Sequence, residues 1–356
     1  MKEHRLDLLE QAVRSTFGSY TQIDQRHPLA GDASTRSYER LRLSGPEAPP
    51  TAVVMWLADR GVSISSDELA MLPETLTELP YVNVYRFLCR VGVDVPLLYA
   101  DWSHEGLLLL EDVGDRTLWH AVSETSEEDR ITAYFQAAID QLLLLQIKGT
   151  AQRTADCIAF QQEFDARLYL WECHHFLEWG LDRQERTLSP SERQSLETEF
   201  EEIASRLDAQ PRYLAHRDFH SWNLFVQPEQ RLRVIDFQDA LLATPAYDLA
   251  TLLGDRDTPT VLTSERERRL IDYYLTQWHA HGGPPLDPTH FTQTYYLCAL
   301  QKALKVVGRF HYLAEAKRKP QYLRYIPGTL RQIRRLLPRF PEFPTLARAV
   351  HVHFPH

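Results

Sequence analysis

Apolar residues near the N-terminus recur first at helical and then at strand spacing. Leu6, Leu9, Ala12, Val13 and Phe17 fall on one face of a helix over 5–17. An extended run over 23–29, a turn at Gly31, Asp32, Ala33 and Ser34, and a second run carrying Tyr38, Leu41 and Leu43 read as a hairpin. Beyond a proline-bearing link at 45–50, the stretch TAVVMWLA (51–58) is a continuous apolar strand. Val84, Phe87, Leu88 and Val91 share one face of a helix inside 67–91, and two further strands, 95–99 and 107–110, bracket a turn at 101–106.

From residue 118 onward the period becomes mainly helical. Helices are expected over 134–147, which holds a run of four leucines, over 164–180, over 192–207, and as three segments within 264–337. The helical region is interrupted at 213–239, where a short apolar strand with Leu232, Val234 and Ile235 runs into Asp236 and Phe237. Strands gathered early and helices later give an α+β chain. A length of 356 residues is enough for two lobes at about 150 residues each. No internal repeat is visible, and the histidines of the tail at 338–356 lack a metal-ligand frame.

Composition removes several classes of function. With 44% hydrophobic and 25% charged residues the chain is an ordinary globular protein. A net charge of -10 argues against nonspecific nucleic-acid binding, which needs cations to neutralise phosphates. No apolar stretch approaches the ~20 residues of a membrane span, and acids within 1–20 fall where a signal peptide needs an apolar core. A cytoplasmic location is expected, with neither a membrane nor nucleic acid as partner. Cys89, Cys157, Cys173 and Cys298 are scattered without C-x-x-C spacing and read as reduced thiols. Oligomeric state leaves no signature in the sequence.

The interruption at 213–239 carries the chemistry. Its sequence, YLAHRDFHSWNLFVQPEQRLRVIDFQD, places Asn223 five positions after Asp218 and Asp236 thirteen positions after Asn223. Phosphoryl transfer needs Mg²⁺ held on nucleotide phosphates and one hydroxyl oriented in line with the γ-phosphorus. Asp236 and Asn223 supply the carboxylate and amide oxygens that Mg²⁺ prefers. Asp218 is then the residue that faces the acceptor hydroxyl, and His216 packs beneath the loop. Histidine, aspartate and asparagine are common in turns, so either half of the pattern alone says little. The joint spacing is specific. Neither GxxxxGK[ST] nor GxGxxG occurs, so a P-loop and a dinucleotide fold are both excluded.

These residues resemble the aminoglycoside-phosphotransferase-like, protein-kinase-like superfamily: HRDFHSWN is similar to its catalytic-loop motif and Asp236 to its metal aspartate. Within it, GDASTRSYERL (31–41), LPYVNVYRFLCRVGVDVP (79–96), LLLLEDVGDRTL (107–118) and YDLATLL (247–253) resemble the bacterial cell-wall amino-sugar kinases. Those enzymes phosphorylate the anomeric hydroxyl of N-acetylmuramate and N-acetylglucosamine. The likeness covers nearly the whole chain.

The resemblance implies a bilobal protein-kinase-like fold, with a small antiparallel-sheet lobe over 1–112 that binds nucleotide and a larger helical lobe over 113–356 that binds the acceptor. ATP and Mg²⁺ are the implied cofactors, an amino sugar the implied small-molecule partner, and peptidoglycan recycling the implied setting. The hairpin tip, Gly31, Asp32, Ala33, Ser34 and Thr35, corresponds to the loop over the phosphates, although such a turn is usually only a turn. No lysine stands between Lys2 and Lys148, so the lysine that kinases place in the third strand is missing, with Met55 or Trp56 at its position. Either Arg36 or Arg40 replaces it, or nucleotide binding is weakened; both arginines also suit a solvated strand. Glu111, Asp112 and Val113 fall at the hinge, where backbone groups bond adenine and either acid could reach the ribose. The alternative for the acids is a plain exposed loop.

On the acceptor side, Glu172, His175 and Trp179 share a helix face that could line a sugar pocket or could simply be core. Asp239 is a candidate for contacting the acceptor or closing the loop. Gln301, Lys305 and Gly308, in QKALKVVGRF, resemble a segment near the acceptor, though Ala303 stands where asparagine is expected; a solvated cationic face is the plainer reading. Asp248 caps a helix or bonds the catalytic loop. Gln238 replaces the glycine of protein kinases, which implies a less flexible segment and constitutive activity. The rivals are the same chemistry on an aminoglycoside, choline or homoserine, or a nucleotide-binding regulatory module without catalysis. The intact set Asp218, Asn223 and Asp236 argues against the module.

Overall fold

The computed structural model describes residues 2–29, 36–57, 78–183 and 187–355. The expected phosphate loop, Gly31 to Thr35, and the first part of the expected crossing helix, 67–77, lie outside them. In chain order the elements are α1 (Lys2–Phe17), β1 (Gln22–Leu29), β2 (Ser37–Ser44), β3 (Thr51–Trp56), α2 (Pro80–Val91), β4 (Leu98–Trp102) and β5 (Leu107–Glu111). Then come α3 (Leu118–Ser123), α4 (Glu128–Leu143), α5 (Ala166–His175), α6 (Pro190–Asp208), β6 (Tyr213–Ala215), β7 (Leu224–Val226), β8 (Leu232–Val234) and β9 (Leu241–Ala243). The chain ends with α7 (Ala246–Gly254), α8 (Ser264–Ala280), α9 (Pro288–Glu315), α10 (Ile326–Leu336) and α11 (Pro344–His353). These divide into two compact units: Met1–Asp115 with Asp156–Ile158 and Arg233–Asp239, and Arg116–Ala155 with Ala159–Leu232 and Ala240–His356.

The first unit is an antiparallel sheet in the order β1-β2-β3-β5-β4. Alternation decides its two faces. Leu41, Leu43, Ala52, Val54, Trp56, Leu107 and Leu109 point to one side and pack against Leu9, Ala12, Val13 and Phe17 of α1, so the leading amphipathic helix closes this face. Each fully buried leucine or valine here contributes about 1.5–3 kcal/mol relative to exposure. The pleat turns Tyr38, Arg40, Val53 and Met55 to the other side, where Tyr38 pairs with Met55 and Arg40 with Val53. β4 starts at Leu98, later than the expected 95, because Pro96 has no N–H to give a ladder. α2 carries the expected face, with Val84, Phe87, Leu88 and Val91 buried, and ends on Gly92 in the left-handed conformation at φ 91°.

The second unit is built around α9, in which Tyr295, Leu297, Leu300, Leu304 and Val307 are buried. Gly308 lets α9 touch the end of α5: a Cβ there would stand 2.4 Å from the carbonyl oxygen of His175. The helices expected over 134–147 and 164–180 each change winding part-way. α4 and α5 continue as π-helical turns at Leu144–Gly149 and Phe176–Leu181. Reciprocal caps start α3 at Thr117 with His120 and α6 at Ser189 with Glu192. Short strands β6 and β9 pair antiparallel, Tyr213 with Ala243 and Ala215 with Leu241, and so bring the chain before His216 beside α7. The three helices expected within 264–337 are present as α8, α9 and α10. Among the described residues no helix is long and apolar enough to cross a membrane. Cys89 is exposed, and Cys157, Cys173 and Cys298 are buried.

Candidate active site

The loop between β6 and β7 holds the HRDFHSWN residues in the second unit. Asp248, fully buried on α7, accepts hydrogen bonds from the backbone N–H of His216 (2.6 Å) and of Arg217 (2.9 Å). Burial raises the pKa of Asp248, opposed by the charge of His216 and by these backbone donors. The sequence left capping and loop-bonding open for Asp248, and the loop is what it bonds. Pinning both N–H groups holds Arg217 at φ 78°, a left-handed conformation that few non-glycine residues adopt. His216 is buried, with its ring edge-on to Phe219 at 5.6 Å.

The carbonyl of Asp218 accepts from the backbone N–H of His220 (2.9 Å) and from Nδ2 of Asn223 (3.0 Å). With its amide nitrogen bonded this way, the amide oxygen of Asn223 is its remaining acceptor atom. The side chain of Asp218 is 41% exposed, while the ammonium of Lys302 lies 3.4 Å from its Oδ1. Burial disfavours the charged carboxylate, but Lys302, Lys305, Arg217 and His220 outweigh it and hold the group well below the usual carboxylate range. Burial also lowers the pKa of His220.

Lys302 is the residue that sequence reasoning missed. It is buried on α9, donates to the carbonyl of Arg217 (3.2 Å) and to the hydroxyl of Tyr247 (3.3 Å), and sits 5.0 Å above the Tyr247 ring. One turn along, Lys305 pairs with Glu172 at 2.8 Å, and Gln301 donates to the same carboxylate at 2.9 Å. The face expected to be a solvated cationic stripe is therefore interior, because two acids in the second unit neutralise it. In sequence the two lysines show only an i, i+3 spacing, which sets them on one helix face and does not tell that the face is buried.

Glu172 is fully buried in that cluster. His175 stacks on Trp171 at 5.4 Å and, with Trp179, meets the ring of Tyr312 on α9. The three residues do share a face, as their spacing requires, and that face meets α9.

In the first unit, Asp236 adopts φ 64°, while Gln238 donates to both Asp236 Oδ1 (2.9 Å) and Asp239 Oδ2 (3.1 Å). The residue that replaces glycine thus ties two carboxylates together. Phe237 packs on Tyr81 with ring centroids 4.7 Å apart. Burial raises the pKa of Tyr38, to which Arg36 is hydrogen-bonded and whose surroundings include the charge of Asp236. Arg36 is itself buried. Arg40 is committed elsewhere, between Asp112 at 2.7 Å and Asp115 at 2.9 Å. Asp112 also accepts from the N–H of Gly114, which bends at φ 78°. Glu111 accepts from the N–H of Leu97 and pairs with Arg233. The hinge acids are therefore ion-paired rather than solvated, with Val113 following them at the end of β5.

Among the described residues no cluster of three or more His, Cys, Asp or Glu could hold a metal ion.

The profile of the phosphotransferase enzyme family matches residues 67–288. The chain is 28% identical over 332 residues to an N-acetylmuramate/N-acetylglucosamine kinase of Caulobacter vibrioides, covering 85% of each chain. To a protein of the same name from Neisseria meningitidis serogroup B it is 30% identical over 279 residues, covering 77% of this chain and 79% of the relative. In structure it is similar to a choline kinase from Cryptosporidium parvum, with a TM-score of 0.61 at 13% identity, covering 98% of this chain and 99% of the other. The choline kinase likeness speaks to the fold alone, while the sequence match over more than half of the chain shows descent: the chain belongs to the phosphotransferase enzyme family.

Proposed function

We propose that this protein is an ATP-dependent kinase of the anomeric hydroxyl of N-acetylmuramate and N-acetylglucosamine, working in the cytoplasm in peptidoglycan recycling. The observation that carries this reading is the chain-wide similarity to relatives of that name, joined to a catalytic loop whose Asp218 is charged and partly exposed. The acceptor is a small molecule; neither nucleic acid nor a membrane is a partner.

In the transfer, the acceptor oxygen bonds to the γ-phosphorus, the bond from that phosphorus to the β,γ-bridging oxygen breaks, and ADP leaves with the electron pair. The hydroxyl proton passes to the Asp218 carboxylate, which orients the acceptor beforehand. His216 supports the loop from below, and Asp248 fixes its backbone. Asn223 and Asp236 would hold Mg²⁺, which would neutralise charge on the phosphate oxygens. The resemblance alone assigns Gly31, Asp32, Ala33, Ser34 and Thr35 to the nucleotide phosphates, and Arg36 would supply the cation that the third strand lacks. The backbone of Glu111, Asp112 and Val113 receives adenine. Asp239 closes the acceptor end through Gln238, and Glu172 holds Lys305 where the face of Glu172, His175 and Trp179 packs against α9.

A panel of N-acetylmuramate, N-acetylglucosamine, choline, homoserine and an aminoglycoside, assayed by coupled ADP detection, tests the reading. Turnover is expected with the two N-acetyl sugars. Preferential turnover of choline, homoserine or the aminoglycoside would replace it.

A further inference from the structure

The proposed catalytic carboxylate does not stand alone. Asp218 Oδ1 faces the ammonium of Lys302 at 3.4 Å, an ion-pair distance rather than a tight hydrogen bond. Lys302 is held from three sides, by the Arg217 carbonyl, the Tyr247 hydroxyl and the Tyr247 ring, so its charge cannot swing away. Lys305 follows one turn later on α9, fixed by Glu172, which Gln301 holds in turn. Nothing in the chemistry of phosphoryl transfer requires a lysine at this position.

We propose that Lys302 is a positioning and specificity-determining residue, which holds Asp218 by Oδ1, leaves Oδ2 for the acceptor hydroxyl, and disfavours acceptors with a positive charge beside that hydroxyl. An uncompensated catalytic carboxylate attracts a cationic acceptor. Here the negative charge already has a buried partner, so a second cation gains little from Asp218 and meets Lys302 close behind it. Like-charge juxtaposition of this kind rejects a partner more effectively than lost attraction does. Neutral or anionic acceptors carry no such penalty. This rests on the amino-sugar reading and sharpens it: an amide-capped amine beside the reacting hydroxyl is accepted, and a free ammonium at the same place is not.

Glucosamine and N-acetylglucosamine form the matched pair, since they differ only in whether the nitrogen beside the anomeric carbon is a free amine or an amide. kcat and KM are measured for both sugars, for N-acetylmuramate and for ATP, at a pH where the amine of glucosamine is protonated. The parent enzyme is expected to prefer N-acetylglucosamine in kcat/KM by at least about ten-fold. Lys302→Met is expected to lower kcat for N-acetylglucosamine by about ten-fold or more, to leave the KM for ATP within two-fold, and to shrink the preference by roughly ten-fold. Lys302→Arg, which keeps the charge, should keep the preference. A merely structural loss would lower both sugars together, and an unchanged ratio in Lys302→Met overturns the proposal. Should that variant fail to fold, the parent still decides: equal use of glucosamine and N-acetylglucosamine overturns it without any substitution. If the parent turns over choline or an aminoglycoside in preference to both N-acetyl sugars, the amino-sugar reading falls, and that result is distinct from a parent that prefers N-acetyl sugars for a reason unrelated to Lys302.

Discussion

Asp218 owes its charged state to residues that are far apart in sequence. Burial acts against the carboxylate, yet Lys302, Lys305 and Arg217 lower its pKa well below the ordinary value of about 3.9. A group whose folded pKa is depressed contributes stability above its unfolded pKa and loses it as the pH falls through the folded value. The base is therefore charged throughout the neutral range, and its acid limb in kcat/KM should lie below the usual carboxylate range. Replacing Asp218 by Asn should lower kcat by roughly 10²–10⁴-fold while moving the acceptor KM only a few-fold. A rise in KM alone, with kcat kept, would make Asp218 a binding group. The aspartates and Asn223 were legible because their spacing within 213–239 and in AYDLATLL reports local geometry. Lys302 was not legible, since it reaches Asp218 across 84 positions and a buried lysine has no local signature.

At the scale of elements, periodicity identified α1, α2, α6 and the helices of 264–337, because each buries one stripe and exposes another. It could not reveal the π-helical turns after α4 and α5, where one glycine each, Gly149 and Gly180, is all that the sequence shows and does not distinguish a change of winding from a helix end. The contact between α9 and the end of α5 is similarly hidden until Gly308 is seen against the His175 carbonyl. That contact keeps Lys305 opposite Glu172. Gly308→Ala would push a methyl group against backbone that cannot rotate aside, so a loss of about 1–3 kcal/mol is expected, read as a lower midpoint in urea with an unchanged slope. An unaltered midpoint would show that α9 can shift at no cost and that the charge cluster tolerates the movement.

For the molecule as a whole, the order of strands first and helices later already indicated an α+β chain, and the five-stranded antiparallel sheet with its α1 cover follows from the alternation in β2, β3 and β5. Which cation serves the nucleotide was less legible. Arg36, which directly follows the expected phosphate turn, was the favoured candidate in sequence and Arg40 the second; Arg40 is tied to Asp112 and Asp115 by ion pairs, and Arg36 is hydrogen-bonded to Tyr38. The family and the catalytic loop together assign a phosphotransferase, and the central claim is the position of the transferred phosphate on the sugar. Phosphorus–proton correlation NMR of the product formed from ATP, Mg²⁺ and N-acetylmuramate measures that directly. One new phosphate coupled to the anomeric proton is expected, formed in step with ADP; a phosphate coupled to any other sugar proton, or ADP released without a sugar phosphate, would contradict anomeric transfer.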